Sequence, residues 1–177
     1  IIYILDAPRW SESWVKAMET AEPVVFVASP AFWAQKYAEC EKNGTVKWST
    51  KTVGQEEISV RQITLDQILQ EPFFLTEKHA NYRQALDQHL ASCRCCLSPV
   101  LEISDTAFII QMLEQSRGLS FLPLFAVQKQ IWEGTLAAVE VDDVEISMYR
   151  QIFYHKNKFR TREMEQFIIF ASEEENH

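Results

Sequence analysis

Ser104 is the residue of this chain best placed to meet a small ligand. It stands in EISDTAFIIQMLEQSRGLSFLP, after an apolar run from Val100 to Ile103 and before a helical stripe of Ile109, Met112 and Leu113. A hydroxyl there can donate to a carbonyl or an anion while the N–H groups of the starting helix face the same way. The plainer role is that Ser104, with Asp105, caps that helix. Ser29 ends the run PVVFVA just before Pro30, and a turn role weighs equally with a ligand contact. Thr76, Asn81 and Tyr82 follow an expected strand at Phe73 to Leu75 and lead into a helix. The carboxyl end of a strand is where open α/β sheets bind ligands. Tyr82 also fits the apolar face of its helix, where core packing is its commoner role. Phe121 lies in the run LSFL and suits either a binding-site wall or the core.

Other chemistry finds little support. Cys40, Cys93, Cys95 and Cys96 are poorly spaced for a disulfide framework and fit a reducing cytosol. The cluster CRCC does not have the ligand spacing of a tetrahedral zinc site, so incidental free thiols are favoured over a sensor. His79, His89, His155 and His177 form no triad or ligand pair. There is no GxSxG, HExxH, phosphate-binding loop or dinucleotide fingerprint. The expectation is therefore a protein that binds without catalysing, and that needs neither cofactor nor metal. A net charge of −8 with scattered Lys and Arg argues against a nucleic-acid surface within these residues. No apolar run approaches the roughly 20 residues that span a bilayer.

The elements that must position these residues alternate between strand and helix, which makes the class α/β. Residues 1–5 read as a buried strand. Trp14, Val15 and Met18 suit a short helix or turn. PVVFVA is a strand, and Pro30 opens a helix carrying Trp33, Tyr37 and Cys40. The polar stretch from Glu41 to Val60 is a loop or hairpin insertion. Thr64 caps a short helix, TLDQIL. Tyr82, Ala85, Leu86 and Leu90 share a helix face. Residues 100–122 form a strand–helix–strand crossover, with Gly118 as its left-handed helix stop and a parallel sheet implied. A helix with Leu124, Val127 and Ile131 ends at Gly134. Strands follow at 136–141 and 151–154, and then a helix with Met164, Phe167, Ile168 and Ala171.

Taken in order, five pieces resemble the effector-binding domain of LysR-type transcriptional regulators. They are PVVFVASP, ITLDQILQEPFFL, NYRQALDQHL, EISDTAFIIQMLEQSRGLSFLP, and the ending KNKFRTR followed by EMEQFIIF. The resemblance implies two Rossmann-like subdomains joined by two crossing strands, of the periplasmic-binding-protein type II kind. Residues 24–136 would form one, and residues 1–23 with 137–177 the other. It implies a small polar effector, favoured as an anion, bound between the subdomains near Ser104, Ser29 and the Thr76–Tyr82 turn. It further implies a cytoplasmic homodimer or tetramer, with DNA bound only through a winged helix-turn-helix outside this chain. The sequence departs from the family pattern in three ways. The domain's first strands and helix are expected to be missing, Ser120 replaces a usual glycine, and the segment 36–60 is long. Two rival readings remain: an extracytoplasmic solute-binding protein, and a cysteine-based redox or metal sensor.

Overall fold

The computed structural model describes residues 1–8, 11–42, 47–53, 56–142, 144 and 146–173, without the side chains of 37–42, 47–53, 56–61, 147 and 173. Tyr37, Cys40 and His177 are thus outside the described side chains, as is much of the 36–60 segment. The chain divides into two compact units: Ile1–Glu22 with Ser147–His177, and Pro23–Ile146. The boundary differs from the sequence reading, which put residues 137–146 with the first unit. They lie in the second because the strand there pairs with Phe26–Ala28 and with Arg61–Ile63.

In the first unit β1 (Ile2–Asp6) runs antiparallel to β9 (Ser147–His155), from Ile2↔Phe153 to Asp6↔Tyr149. The first half of β2 (Trp14–Ala28) lies on the other side of β9. The short helix or turn expected around Trp14–Met18 is instead part of this 15-residue strand. Met18, Thr20 and Glu22 are more buried than Glu19 and Ala21, a period of two that only strand pairing satisfies. Gln151 is buried and donates to the carbonyls of Asp6 (3.3 Å) and Ala7 (3.1 Å). Arg150 pairs with Glu22 at 2.8 Å. Helix α6 (Arg162–Glu173) inserts Met164 and sets Phe167 edge-on to Tyr3.

The second unit is a sheet with helices on both faces. Its strands are the second half of β2, β3 (Lys47–Val53), β4 (Glu56–Ile63), β5 (Phe74–Leu75), β6 (Leu101–Glu102), β7 (Leu119–Pro123) and β8 (Ala137–Val141). The pairs β5–β6 and β4–β8 are parallel, and Phe73 bridges Leu119 in the parallel sense. β2 runs antiparallel to β7 and β8, and β3 runs antiparallel to β4. The sheet is therefore mixed, not wholly parallel as the crossover alone implied. Two strands are reversed: β2, which enters from the first unit, and β3, which pairs with β4.

Alternation along the strands builds two cores. Phe26, Ala28, Phe73, Leu75, Leu119, Phe121, Val139 and Val141 face one side. There they meet α1 (Pro30–Lys42), α2 (Leu65–Ile68) and α3 (Asn81–Ser92) through Phe32, Trp33, Ile68, Leu86 and Leu90. Val25, Val27, Phe74, Leu122 and Ala138 face the other side, against Ile109 and Leu113 of α4 (Thr106–Glu114) and Leu124 and Val127 of α5 (Leu124–Trp132). Strands buried on both faces read as unbroken apolar runs, which is why PVVFVA and LSFL were legible. Each fully buried leucine contributes about 1.5–3 kcal/mol.

Local chemistry sets the ends of the helices. Thr64 caps α2 in a capping box with Gln67. Asp105, not Ser104, caps α4: its carboxylate accepts from Phe108 N at 3.1 Å. Gly118 is not the helix stop. α4 ends four residues earlier, and the left-handed residue after its cap Gln115 is Ser116, at φ +59°. Gly118 is needed for close approach: a Cβ there would enter the Pro72 carbonyl oxygen and lie 2.9 Å from Phe74 Cε2. Leu119 N donates to that same Pro72 carbonyl at 2.9 Å, so the neighbouring segments cannot spread apart.

Candidate functional site

The second unit holds polar groups at two ends of its sheet. At the carboxyl end of β5, Thr76 is buried and its Oγ1 has no hydrogen-bond partner of full geometry among the described residues. Tyr82 stands in the first turn of α3 with its ring against the margins of both cores. Burial pushes the Tyr82 phenol above its ordinary pKa, and the neighbouring hydroxyls of Thr76 and Thr106 partly oppose that. Three hydroxyls from a strand end and two helix starts therefore converge. α3 has no side-chain cap, because Ala80 occupies that position. Asn81 is half-buried beside Tyr82, and Ser104 is exposed just before the α4 cap.

Arg83 underlies this cluster. It is 2% exposed, and its Nη1 donates to the Thr76 carbonyl at 3.0 Å. Its Nε lies 3.0 Å from both Asp87 oxygens. The sequence reading passed over Arg83, although two signals marked it. It shares the i, i+3, i+7 face of Leu86 and Leu90, and Asp87 follows at i+4. Thr106 was also missed, because a threonine at a helix start reads as one more capping residue.

Ser29 belongs elsewhere. β2 is reversed, so its last residue Ala28 pairs with Leu119, the first of β7, in the row that Phe73 also joins. Ser29 thus lies at the amino end of β5 and β7, about four residues or roughly 13 Å along the strands from Thr76. There its Oγ accepts from Phe32 N at 3.1 Å, capping α1, and shares a 2.8 Å bond with Ser116 Oγ. Phe121 is a core residue, 2% exposed with its ring 4.7 Å from that of Phe26. The six sequence candidates thus separate: Thr76, Asn81, Tyr82 and Ser104 group around the starts of α3 and α4, while Ser29 and Phe121 do not join them.

The thiols lie at the other end of α3. Cys93 Sγ is 3.9 Å from His89 Nε2, and Cys95 Sγ donates to the Cys93 carbonyl at 3.5 Å. Cys93, Cys95 and Cys96 are free. No group of three or more His, Cys, Asp or Glu set to hold a metal occurs among the described residues. No helix among them is long and apolar enough to cross a membrane.

A sequence model described as the LysR substrate binding domain matches residues 57–175, well over half of the chain. The HTH-type transcriptional activator CmpR of Synechocystis sp. is 24% identical over 119 residues, which are 66% of this chain. This chain spans only 39% of that curated relative's length. The effector binding domain of QuiR in complex with shikimate superimposes with a TM-score of 0.64 at 10% identity, over 96% of this chain and 69% of that one. The Synechocystis PCC6803 CcmR regulatory domain in complex with 2-PG gives 0.65 at 13% identity, over 99% and 74%. The HypT regulatory domain of Salmonella typhimurium gives 0.59 at 14%, over 98% and 72%. At these identities the structural likeness is one of fold.

Proposed function

The chain belongs to the LysR substrate binding domain family, and from that premise we propose that a small polar effector binds at the carboxyl end of β5, between the starts of α3 and α4. The observation that carries the site is the buried Thr76 hydroxyl, which has no hydrogen-bond partner of full geometry among the described residues, beside Tyr82 and Thr106. A buried hydroxyl without a partner costs about 1–3 kcal/mol, which an incoming ligand group recovers. Asn81 and Ser104 flank the cluster and complete the proposed contact set. Two solved relatives carry shikimate and 2-PG, which supports a ligand of that size and polarity.

Effector binding then regulates transcription. A ligand shifts a conformational equilibrium by its differential affinity for two states. The shift is read out by a DNA-binding segment outside these residues, in a cytoplasmic homodimer or tetramer. Regulation rather than catalysis is the role of this domain. The family membership favours this reading over a secreted solute-binding protein and over a cysteine sensor.

Calorimetry with 2-PG, shikimate and a library of small metabolites tests the site. Thr76→Val and Tyr82→Phe should each weaken a bound compound by roughly tenfold, the value of one buried hydrogen bond. A compound whose affinity neither substitution alters binds somewhere else, and the site assignment then fails.

A further inference from the structure

Arg83 is a buried cation whose partners do not fill it. Asp87 takes Nε, and the Thr76 carbonyl takes one hydrogen of Nη1. The second carboxylate, Glu102 Oε2, stands 3.5 Å from Nη1, at the outer limit of a hydrogen bond. Nη2 has no partner among the described residues. The two carboxylates are 39% and 35% exposed, whereas the guanidinium is 2% exposed. The cation is thus fixed, and its counter-ions sit at the surface.

The polar groups around it are mostly donors. Nη2, the Thr76 hydroxyl and an α3 start without a side-chain cap all call for an acceptor. Glu102 is a loosely held carboxylate acceptor near them. A neutral ligand could accept from the guanidinium edge but would bring no opposing charge to it, and a cation would meet its fixed charge. The planar fork of arginine matches carboxylate and phosphate groups, whose oxygens can take two N–H bonds together. Asp87 at Nε fixes the plane of that fork and leaves the Nη edge for another group.

We propose that Arg83 is the anion-recognising residue of the effector site and that Glu102 is its exchangeable counter-ion. A carboxylate or phosphate group of the effector takes the Nη edge in place of Glu102, and Thr76 Oγ1 donates to it. The proposal rests on the effector reading given above and adds to it the charge of the ligand and the residue that competes with it.

The test is a ¹⁵N NMR titration of the chain with inorganic phosphate and, separately, with acetate, read at the amides of Thr76, Tyr82, Arg83 and Thr106. Saturable shifts are expected at these amides in the wild type. Glu102→Gln removes the competing charge from a half-exposed side chain, keeps the fold, and should bind roughly tenfold tighter. Arg83→Lys keeps the charge but loses the fork and should bind roughly tenfold weaker. If Arg83→Lys does not fold, Glu102→Gln carries the decision alone. Unchanged or weaker binding by Glu102→Gln overturns the proposal, as does the lack of saturable shifts in both it and the wild type. Binding of 2-PG or shikimate at these amides that is indifferent to Glu102→Gln keeps the effector site and rejects the anion seat. If no compound moves these amides, phosphate included, both fall.

Discussion

At the amino end of β7, Ser29 and Ser116 share a 2.8 Å hydrogen bond, and Ser29 also caps α1. At the carboxyl end of β5, Thr76 has a buried hydroxyl with no such partner among the described residues. Both ends place a small hydroxyl residue after a strand and near a helix start, so their local sequences look alike. What separates them is satisfaction. One pair is closed on itself and stabilises the fold, including a non-glycine residue held at φ +59°. The other is open, and under the proposed function the effector supplies its partner. A hydroxyl's partners, more than its position before a helix, distinguish a structural role from a binding role.

The largest expected effect tests how tightly the closed end is packed. Gly118→Ala should lose about 3 kcal/mol or fail to fold, because its Cβ would press on backbone, which cannot swing away as a side chain can. Urea unfolding would measure it, and a loss below about 1 kcal/mol would show that the end is looser than described.

Next come paired substitutions at the two ends. Ser29→Ala should cost about 1–2 kcal/mol of stability and leave effector affinity alone. Thr76→Val should do the reverse, leaving stability level or raised by up to about 1 kcal/mol while effector affinity drops. If both destabilise to the same degree, the contrast between the ends dissolves.

Ser120→Ala is a control for the meaning of an open hydroxyl. Ser120 Oγ is also buried without a partner among the described residues, but it sits on β7 between Leu119 and Phe121, where the strand is buried throughout. Removing it should stabilise the chain by about 1 kcal/mol in a thermal melt with no change in binding. An effect on binding would place it in the site after all.

The smallest effect is in pH. The Tyr82 phenol is raised by burial, so the folded state holds its proton more firmly than the unfolded state. The associated stability is present below the unfolded value near 10 and is lost as pH rises through the folded value. An ultraviolet titration should show a late-ionising tyrosine. In Tyr82→Phe that late step should vanish and the alkaline loss of stability should lessen.

Much of this was legible in the chain. PVVFVA, LSFL and the Leu86–Leu90 spacing gave buried strands and a packed helix, because both faces of the sheet are covered. Thr64 declared a helix start, because a cap is local, and the structure adds Gln67 to it as a capping box. Other features required long-range pairing. The stretch from Trp14 read as a short helix or turn until its alternation was matched by β9. Ser104 and Asp105 competed for one cap, and backbone geometry chose Asp105. Ser29 suited a turn and a ligand contact equally, and only the reversed pairing of β2 with β7 set it at the amino end of β7.

The sequence by itself determined the alternation of strand and helix, the apolar faces and the Thr64 cap, since each depends on residues a few positions apart. It also marked Thr76, Asn81, Tyr82 and Ser104 as polar groups at strand ends. Only the tertiary structure decided which hydroxyls remain open, because partners such as Ser29 and Ser116 are 87 residues apart in the chain. It also decided that Arg83 is buried behind Thr76 with Asp87 and Glu102 at the surface. A charge's value as a contact depends on what surrounds it in space, and sequence spacing does not fix that.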